Sequence, residues 1–213
     1  MQPDDDPQAL LATLEAEQRE LLGEADALRR FIACMRTLID AARPRQDISE
    51  VYSVLEHVLD NAIRAVNARD GSILVPDRRT RELVFVIVRG DEPHIELVGR
   101  RLSPGEGIAG WVAENRRPAI VNNATADDRF FPGMDRELAY KTHSILAAPL
   151  VGAGRMLGVV EVLNKRDGRF FSIGNKALLN LMCRFAGEML YTMVRDLDLS
   201  RTDLSRSALN RET

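Results

Sequence analysis

Three sets of residues in this 213-residue chain could do chemistry: a glycine cluster, three histidines and two cysteines. Gly105-Glu106-Gly107-Ile108-Ala109-Gly110 has the spacing G-x-G-x-x-G. In a strand-to-helix turn, such glycines let a pyrophosphate approach a helix N-terminus. Asp127 and Asp128 fall near the offset of about 20 residues at which an acidic group would meet a ribose. The context opposes this chemistry. Pro104 interrupts the approach, the strand before it is weak, and a hairpin follows instead of a parallel crossover. A tight turn into a helix is the expected role. His57, His94 and His143 are widely separated, and there is no His-x-x-x-His, Cys-x-x-Cys or clustered carboxylate set. A structural zinc site is therefore not expected. One histidine could ligate haem; for His143 the plainer reading is a polar residue at a loop-to-strand junction. Cys34 and Cys183 cannot make a disulfide scaffold, and each lies on a helical apolar stripe where it would pack as a small apolar residue. No Ser, Cys or Thr stands at a recognisable spacing from a general base, so the residues give no support for an enzyme.

Composition narrows the classes further. Hydrophobic residues make up 45% of the chain and charged residues 29%, with a net charge of −3. This is a globular composition, opposed to wholesale disorder or to a coat for nucleic acid or an anionic membrane. No run approaches the roughly 18 consecutive apolar residues of a membrane span. Met1-Gln2-Pro3-Asp4-Asp5-Asp6 is acidic and opens no apolar core, so no signal peptide is expected. A cytoplasmic protein with neither nucleic acid nor membrane as partner is the expectation.

The elements that must position any site follow from periodicity. Leu10, Leu14, Leu21, Leu28, Ile32, Met35 and Ile39 recur on steps of four and seven, with Glu17 and Ala25 interrupting the seam. The 3.5-residue spacing predicts a long helix from Asp6-Pro7 to Arg43-Pro44 whose stripe meets another helix. Val51, Val54, Leu55, Val58, Leu59, Ala62, Ile63 and Val66 predict a second helix over about 48–67, broad enough in its apolar face to lie on a sheet. After Asp70-Gly71 the period falls to near two. Strands are predicted at 72–75 and 83–88, a weaker one at 96–102 and a short edge strand at 119–121. A short helix is expected at 107–115. Residues 122–143 read as a long irregular connection of the kind that serves as a lid or binding loop. Strands at 144–151 and 156–164 form a hairpin across Gly152-Ala153-Gly154-Arg155, and a last helix runs from about Asn175 to Leu199. Its stripe is Leu178, Met182, Phe185, Met189, Met193 and Leu197. The order predicts an α+β fold with an antiparallel sheet.

Several segments together resemble the GAF domain family. They are Gly105–Ala113, Asp127-Asp128-Arg129-Phe130-Phe131, Ser144–Leu150, Leu157–Lys165, a following Phe171 and a terminal apolar helix. Their order and spacing carry the resemblance, which extends over about residues 45–195. It implies a central antiparallel sheet with the first and last helices on one face. A short helix and long loop close a small-molecule pocket on the other. It divides the chain into a helical extension (1–43), a sensory domain (44–197) and a helical continuation or frayed tail (198–213).

The resemblance also implies site residues. Ligand contacts are expected at Val88, Arg89, Ile108, Ala109, Phe130, Leu138 and Thr142, with Asn164, Lys165, Phe171 and Asn175 as a structural motif. Family members that bind cyclic nucleotides carry Asn-Lys…Phe-x-x-x-Asp-Glu; here Asn175-Lys176 replaces the acidic pair. That leaves a hydrogen bond from Lys165 to Asn175 where the family has an ion pair. Val88-Arg89 stands where such domains favour Phe-Asp, and Leu138 replaces a threonine. Arg89, if it faces the pocket, would suit an anionic ligand; otherwise it is a solvated rim residue. Neither cysteine falls where bilin attachment or the methionine-sulfoxide-reducing branch needs one.

The expected function is a stand-alone regulatory protein, not an enzyme. It takes up an unknown small molecule and signals to a protein in trans through a homodimer of its terminal helices. Leu14, Leu21, Leu28, Ile32 and Met35 of the first helix, and Met182, Phe185, Met189 and Met193 of the last, are the expected dimer contacts. The alternatives are a ligand-free dimerisation scaffold and a haem or cyclic-nucleotide sensor. No cofactor is assigned.

Overall fold

The structure, a computed structural model, describes residues 29, 48–91 and 93–196. Apart from Arg29, the long first helix, with Leu14, Leu21, Leu28, Ile32 and Met35, lies outside the described residues, as do residues 198–213.

Helix α1 (Ile48–Ala65) buries the apolar positions that its spacing marked, among them Val51, Leu55, Val58, Leu59 and Ala62. Asn67, in the left-handed region at φ 55°, turns the chain into strand β1 (Ala68–Pro76). Asn reaches this region more easily than most residues because its short polar side chain is tolerated there. A tight turn leads to β2 (Leu83–Gly90), and β3 is only Arg101–Leu102. Helix α2 (Gly107–Asn115) precedes β4 (Ala119–Val121), followed by helix α3 (Gly133–Leu138). Strands β5 (Ile145–Gly152) and β6 (Arg155–Lys165) form the central hairpin, and α4 (Ile173–Asp196) closes the order. All pairings are antiparallel, in the order β3-β2-β1-β6-β5-β4.

Both faces of this sheet are covered. On one, α1 and α4 bury Ile73, Val86, Leu146, Ala148, Val160 and Val162. On the other, α2 and the 122–144 connection cover Leu74, Phe85, Val88, Ile145, Ala147 and Val159. Double coverage explains why the central strands are nearly continuous apolar runs.

Strand β2 breaks its own alternation. Ile73 pairs with Ile87 but Leu74 pairs with Phe85, so Val86 is an extra residue opposite β1. This β-bulge sends Val86 and Ile87 both to the helix face and leaves Phe85 and Val88 both on the other. Arg89 consequently returns to the helix side.

Three sequence expectations change. The strand expected at 96–102 is a 3-10 turn (Ile95–Leu97) followed by the two residues of β3. Gly99, at φ 85°, interrupts an extended run there while still donating its N–H to the Phe85 carbonyl. The 122–143 connection is not wholly irregular: it holds a 3-10 turn (Ala124–Ala126) and α3, which ends at Ala139 in the left-handed region. The stripe of α4, expected to meet a second subunit, is turned largely onto its own domain. Met182 is 4% exposed in the core beneath α1 and α4, and Met189 and Met193 pack against that core. Phe185 is half-buried.

Candidate functional site

The pocket face holds a partly open cavity of about 100 Å³ between the sheet, α2 and the 122–144 connection. Its walls are mostly apolar: Phe85, Val88, Leu97, Leu102, Ile108, Phe130, Met134, Leu138, Ile145 and Leu163 among them. The sheet register brings its polar floor together. Ser72 of β1 pairs with Val88 of β2 and with Glu161 of β6, and Glu161 pairs with Ala147 of β5. Asp70, two residues before Ser72 on the same face of β1, also lines the space.

The glycine cluster shapes the entrance to α2. Gly105 and Gly107 hold φ angles of 76° and 71°, the left-handed region that glycine enters at no steric cost. A Cβ on Gly110 would lie 2.5 Å from the Gly105 carbonyl carbon, so the loop folds directly against the helix backbone. These glycines serve a tight turn, and antiparallel pairing of the flanking strands removes the dinucleotide-binding context.

The outer wall is a chain of satisfied polar contacts. Asn164 accepts hydrogen bonds from the His143 and Ser144 N–H groups at 2.7 and 3.1 Å. Its amide donates to the Lys141 carbonyl (2.9 Å) and the Tyr140 hydroxyl (3.1 Å). The Tyr140 hydroxyl in turn donates to Asp70 at 2.6 Å. Burial, with the bond to Asp70, holds the phenol above its ordinary pKa. Thr142 donates to Asp135 through both its N–H and its hydroxyl, at 2.8 and 2.6 Å. Asp127 grips Arg129 through two side-chain bonds of 2.7 and 2.8 Å, and the guanidinium lies 4.7 Å from the centre of the Trp111 ring. This contact moors the loop carrying Phe130 onto α2.

Three carboxylates thus line one small cavity: Asp70, Asp135 and Glu161. Tyr140 serves the first and Thr142 the second. Among the described residues no hydrogen bond or ion pair reaches Glu161. Burial, with the Asp135 charge nearby, pushes its carboxyl up to about 7. No Lys or Arg among the described residues lines the cavity.

Of the expected ligand contacts, Val88, Ile108, Ala109, Phe130, Leu138 and Thr142 all line this space. Arg89 does not. After the bulge it points to the helix face, where its guanidinium meets Glu56 of α1 at 2.8 Å. The structural motif lies behind the wall. Lys165 donates to Asn175 at 3.4 Å, and Asn175 caps α4 in a reciprocal pair with Ser172, each contact 3.1 Å. Phe171 is buried, its backbone bound on both sides by the Asn122 amide. Sequence reasoning missed Asp70, Ser72, Asp135, Tyr140 and Glu161. Glu161 had a signal: it is the single charged residue in the apolar run Met156–Asn164. Met182 and Cys183 lie in the opposite core, where burial raises the thiol's pKa and leaves it protonated. No group of three or more metal-ligating side chains occurs among the described residues, nor a helix long and apolar enough to cross a membrane.

The family model described as GAF domain matches residues 49–190. Among curated proteins, the chain is 32% identical over 142 residues to a probable 3',5'-cyclic phosphodiesterase, pde-5, of Caenorhabditis elegans, covering 62% of this chain and 20% of that protein. It is 30% identical over 151 residues to the dual 3',5'-cyclic-AMP and -GMP phosphodiesterase 11 of Drosophila melanogaster, covering 65% of this chain and 10% of that one. The chain thus spans a fifth or less of these relatives' length. Among solved structures, the GAF domain of a phosphoenolpyruvate-protein phosphotransferase from Coxiella burnetii superposes with a TM-score of 0.69 at 19% identity, covering 81% of this chain and 97% of that one. Free methionine-R-sulfoxide reductase from Neisseria meningitidis gives 0.64 at 16% identity, covering 81% and 92%. At these identities the structural matches establish the fold alone.

Proposed function

Because this chain belongs to the GAF domain family, we propose that it is a regulatory module that takes up a small ligand in the cavity between the sheet and α2. The observation that carries this reading is a mostly apolar, partly closed cavity whose wall includes the Glu161 carboxylate, which no hydrogen bond or ion pair among the described residues reaches. The Glu161 carboxyl is partly withdrawn from water, and a complementary ligand offsets the cost of ionising it there. The site's role is binding without turnover.

The signal passes through α4. That helix packs along β5, whose first residue, Ile145, lines the cavity. A ligand that prefers one position of the 122–144 wall would bias the packing of α4 and of a homodimer built on the terminal helices. The output goes to a protein that reads those helices.

A cyclic nucleotide is the second reading, favoured by the similarity to phosphodiesterases whose names specify such substrates. Arg89 and Asn175 depart from the residues that reading would use. The test is the native mass spectrum of freshly purified full-length chain beside its denatured mass. A dimer with extra non-covalent mass is expected, the increment distinguishing a cyclic nucleotide from other ligands. A dimer at bare sequence mass after exposure to cell extract overturns ligand uptake and leaves a scaffold. A monomer overturns signalling between helices.

A further inference from the structure

The family pocket sets no sign of charge for its occupant, but the residues around this cavity do. We propose that the ligand is a small organic cation, an ammonium or amidinium on an apolar body, whose charged end meets Glu161. The proposal rests on the ligand-binding reading above and deepens it.

Three observations converge. First, the charged groups around the cavity are carboxylates from three different elements: Asp70 on β1, Asp135 on α3 and Glu161 on β6. His94, at the rim, already pairs with Glu96 at 3.1 Å and stacks edge-on against Tyr140. Second, the protein has spent its own donors on two of the three. Tyr140 donates to Asp70 and Thr142 donates twice to Asp135, leaving Glu161 as the one whose oxygens await a donor. Third, Arg89 is turned away from the cavity, because the bulge in β2 carries it to Glu56 on the far side of the sheet; Arg69, Lys141 and Lys165 line the adjoining cleft beyond Tyr140 and Thr142, not the cavity itself.

An anionic ligand would bring a like charge beside three carboxylates in a partly closed, mostly apolar space. A cation bound to Glu161 gains a charge-assisted hydrogen bond, while the surrounding Phe85, Ile108, Phe130 and Leu163 receive its apolar body. Burial raises the proton affinity of Glu161 and so makes it a stronger acceptor once a cation is present.

The experiment titrates the full-length chain calorimetrically with matched pairs: benzamidinium against benzoate, and phenethylammonium against 3-phenylpropionate, with cGMP as a further arm. Saturable binding of at least one cation, with its isosteric anion at least about tenfold weaker, is expected. Glu161→Gln should weaken the cation by about tenfold or more. Glu161→Met, of similar volume, repeats the test should the first variant fold poorly. Ala109→Trp, which fills the cavity, should abolish binding. Equal or tighter binding of the anions or of cGMP overturns the proposal, as does cation binding indifferent to both Glu161 variants or no cation binding at all. The ligand-binding reading fails on a separate result, a bare native mass after exposure to cell extract.

Discussion

Glu161 links the cavity to stability at the scale of a single side chain. Its carboxyl titrates near 7 in the folded protein and at 4.5 when unperturbed. Between those values the native state holds a proton that the unfolded chain releases, so stability falls as pH rises through this window and levels off above 7. The penalty at pH 8 is about 3 kcal/mol. We expect Glu161→Gln to raise the urea midpoint at pH 8 and to lose that advantage near pH 4.5. An equal advantage at both pH values would show that the carboxylate's charge is not its cause. Asn164 behaves oppositely. Its amide holds four groups of the wall, and Asn164→Ala should destabilise by about 2–3 kcal/mol, read from the same urea curves. A loss below about 0.5 kcal/mol would mean that water replaces those bonds.

Among the elements, the β1–β2 turn and β3 depend on one ion-pair cluster. Asp77 accepts from the Arg79 and Thr80 N–H groups at 2.8 and 3.2 Å and from Arg101 at 2.9 Å, while Arg101 also meets Glu82 at 2.7 Å. The Arg101 guanidinium, with these backbone donors, draws the Asp77 carboxyl down to about 2 from 3.8. A lowered pKa means that this stability is present above about pH 4 and drains away as pH falls through 2. Asp77→Asn should therefore cost about 2 kcal/mol at pH 7 and close to nothing at pH 2, by denaturant unfolding at each pH. A cost unchanged at pH 2 would assign the effect to packing. The same elements mark how far sequence reasoning reached. Helix α2 and strand β4 were legible to the residue, because Gly107 opens one and a three-residue apolar run between polar segments defines the other. β3 was not, because its two residues owe their pairing to Arg101's distant partners and to Gly99, and local pattern carries neither. Six cavity residues were legible through a family resemblance. Arg89 was not, because its side of the sheet is set by an extra residue three positions earlier that only the pairing with β1 reveals.

For the whole molecule, the question is how the cavity face reaches the helix face. Where the end of β5 meets α4, the contact is backbone on backbone. A Cβ on Gly187 of α4 would lie 2.3 Å from the Val151 carbonyl oxygen, and one on Gly152 would lie 2.2 Å from the Gly187 oxygen. Apart from the Tyr191 Cβ, the nearest atoms at this crossing are backbone, so a shift at the end of β5 bears directly on the α4 backbone. Gly187→Ala should destabilise by about 1–3 kcal/mol through overpacking, with hydrogen exchange speeding up along α4. A neutral substitution would show that the helix slides freely there. Met182, which the stripe of α4 had suggested for a subunit interface, sits in the core this crossing holds shut.

The bulge in β2 has a genetic corollary. Most single-codon deletions inside a paired strand turn every later side chain to the opposite face. Here the strand already carries one residue beyond plain alternation, so losing either Val86 or Ile87 would restore regular pairing with Val88 still toward the cavity and Arg89 still toward α1. The strand therefore contains a spare position. A version of this domain one residue shorter at that point would keep the same side chains lining the cavity, and an alignment that placed the gap elsewhere in β2 would exchange the residue lining the pocket with the one that avoids it.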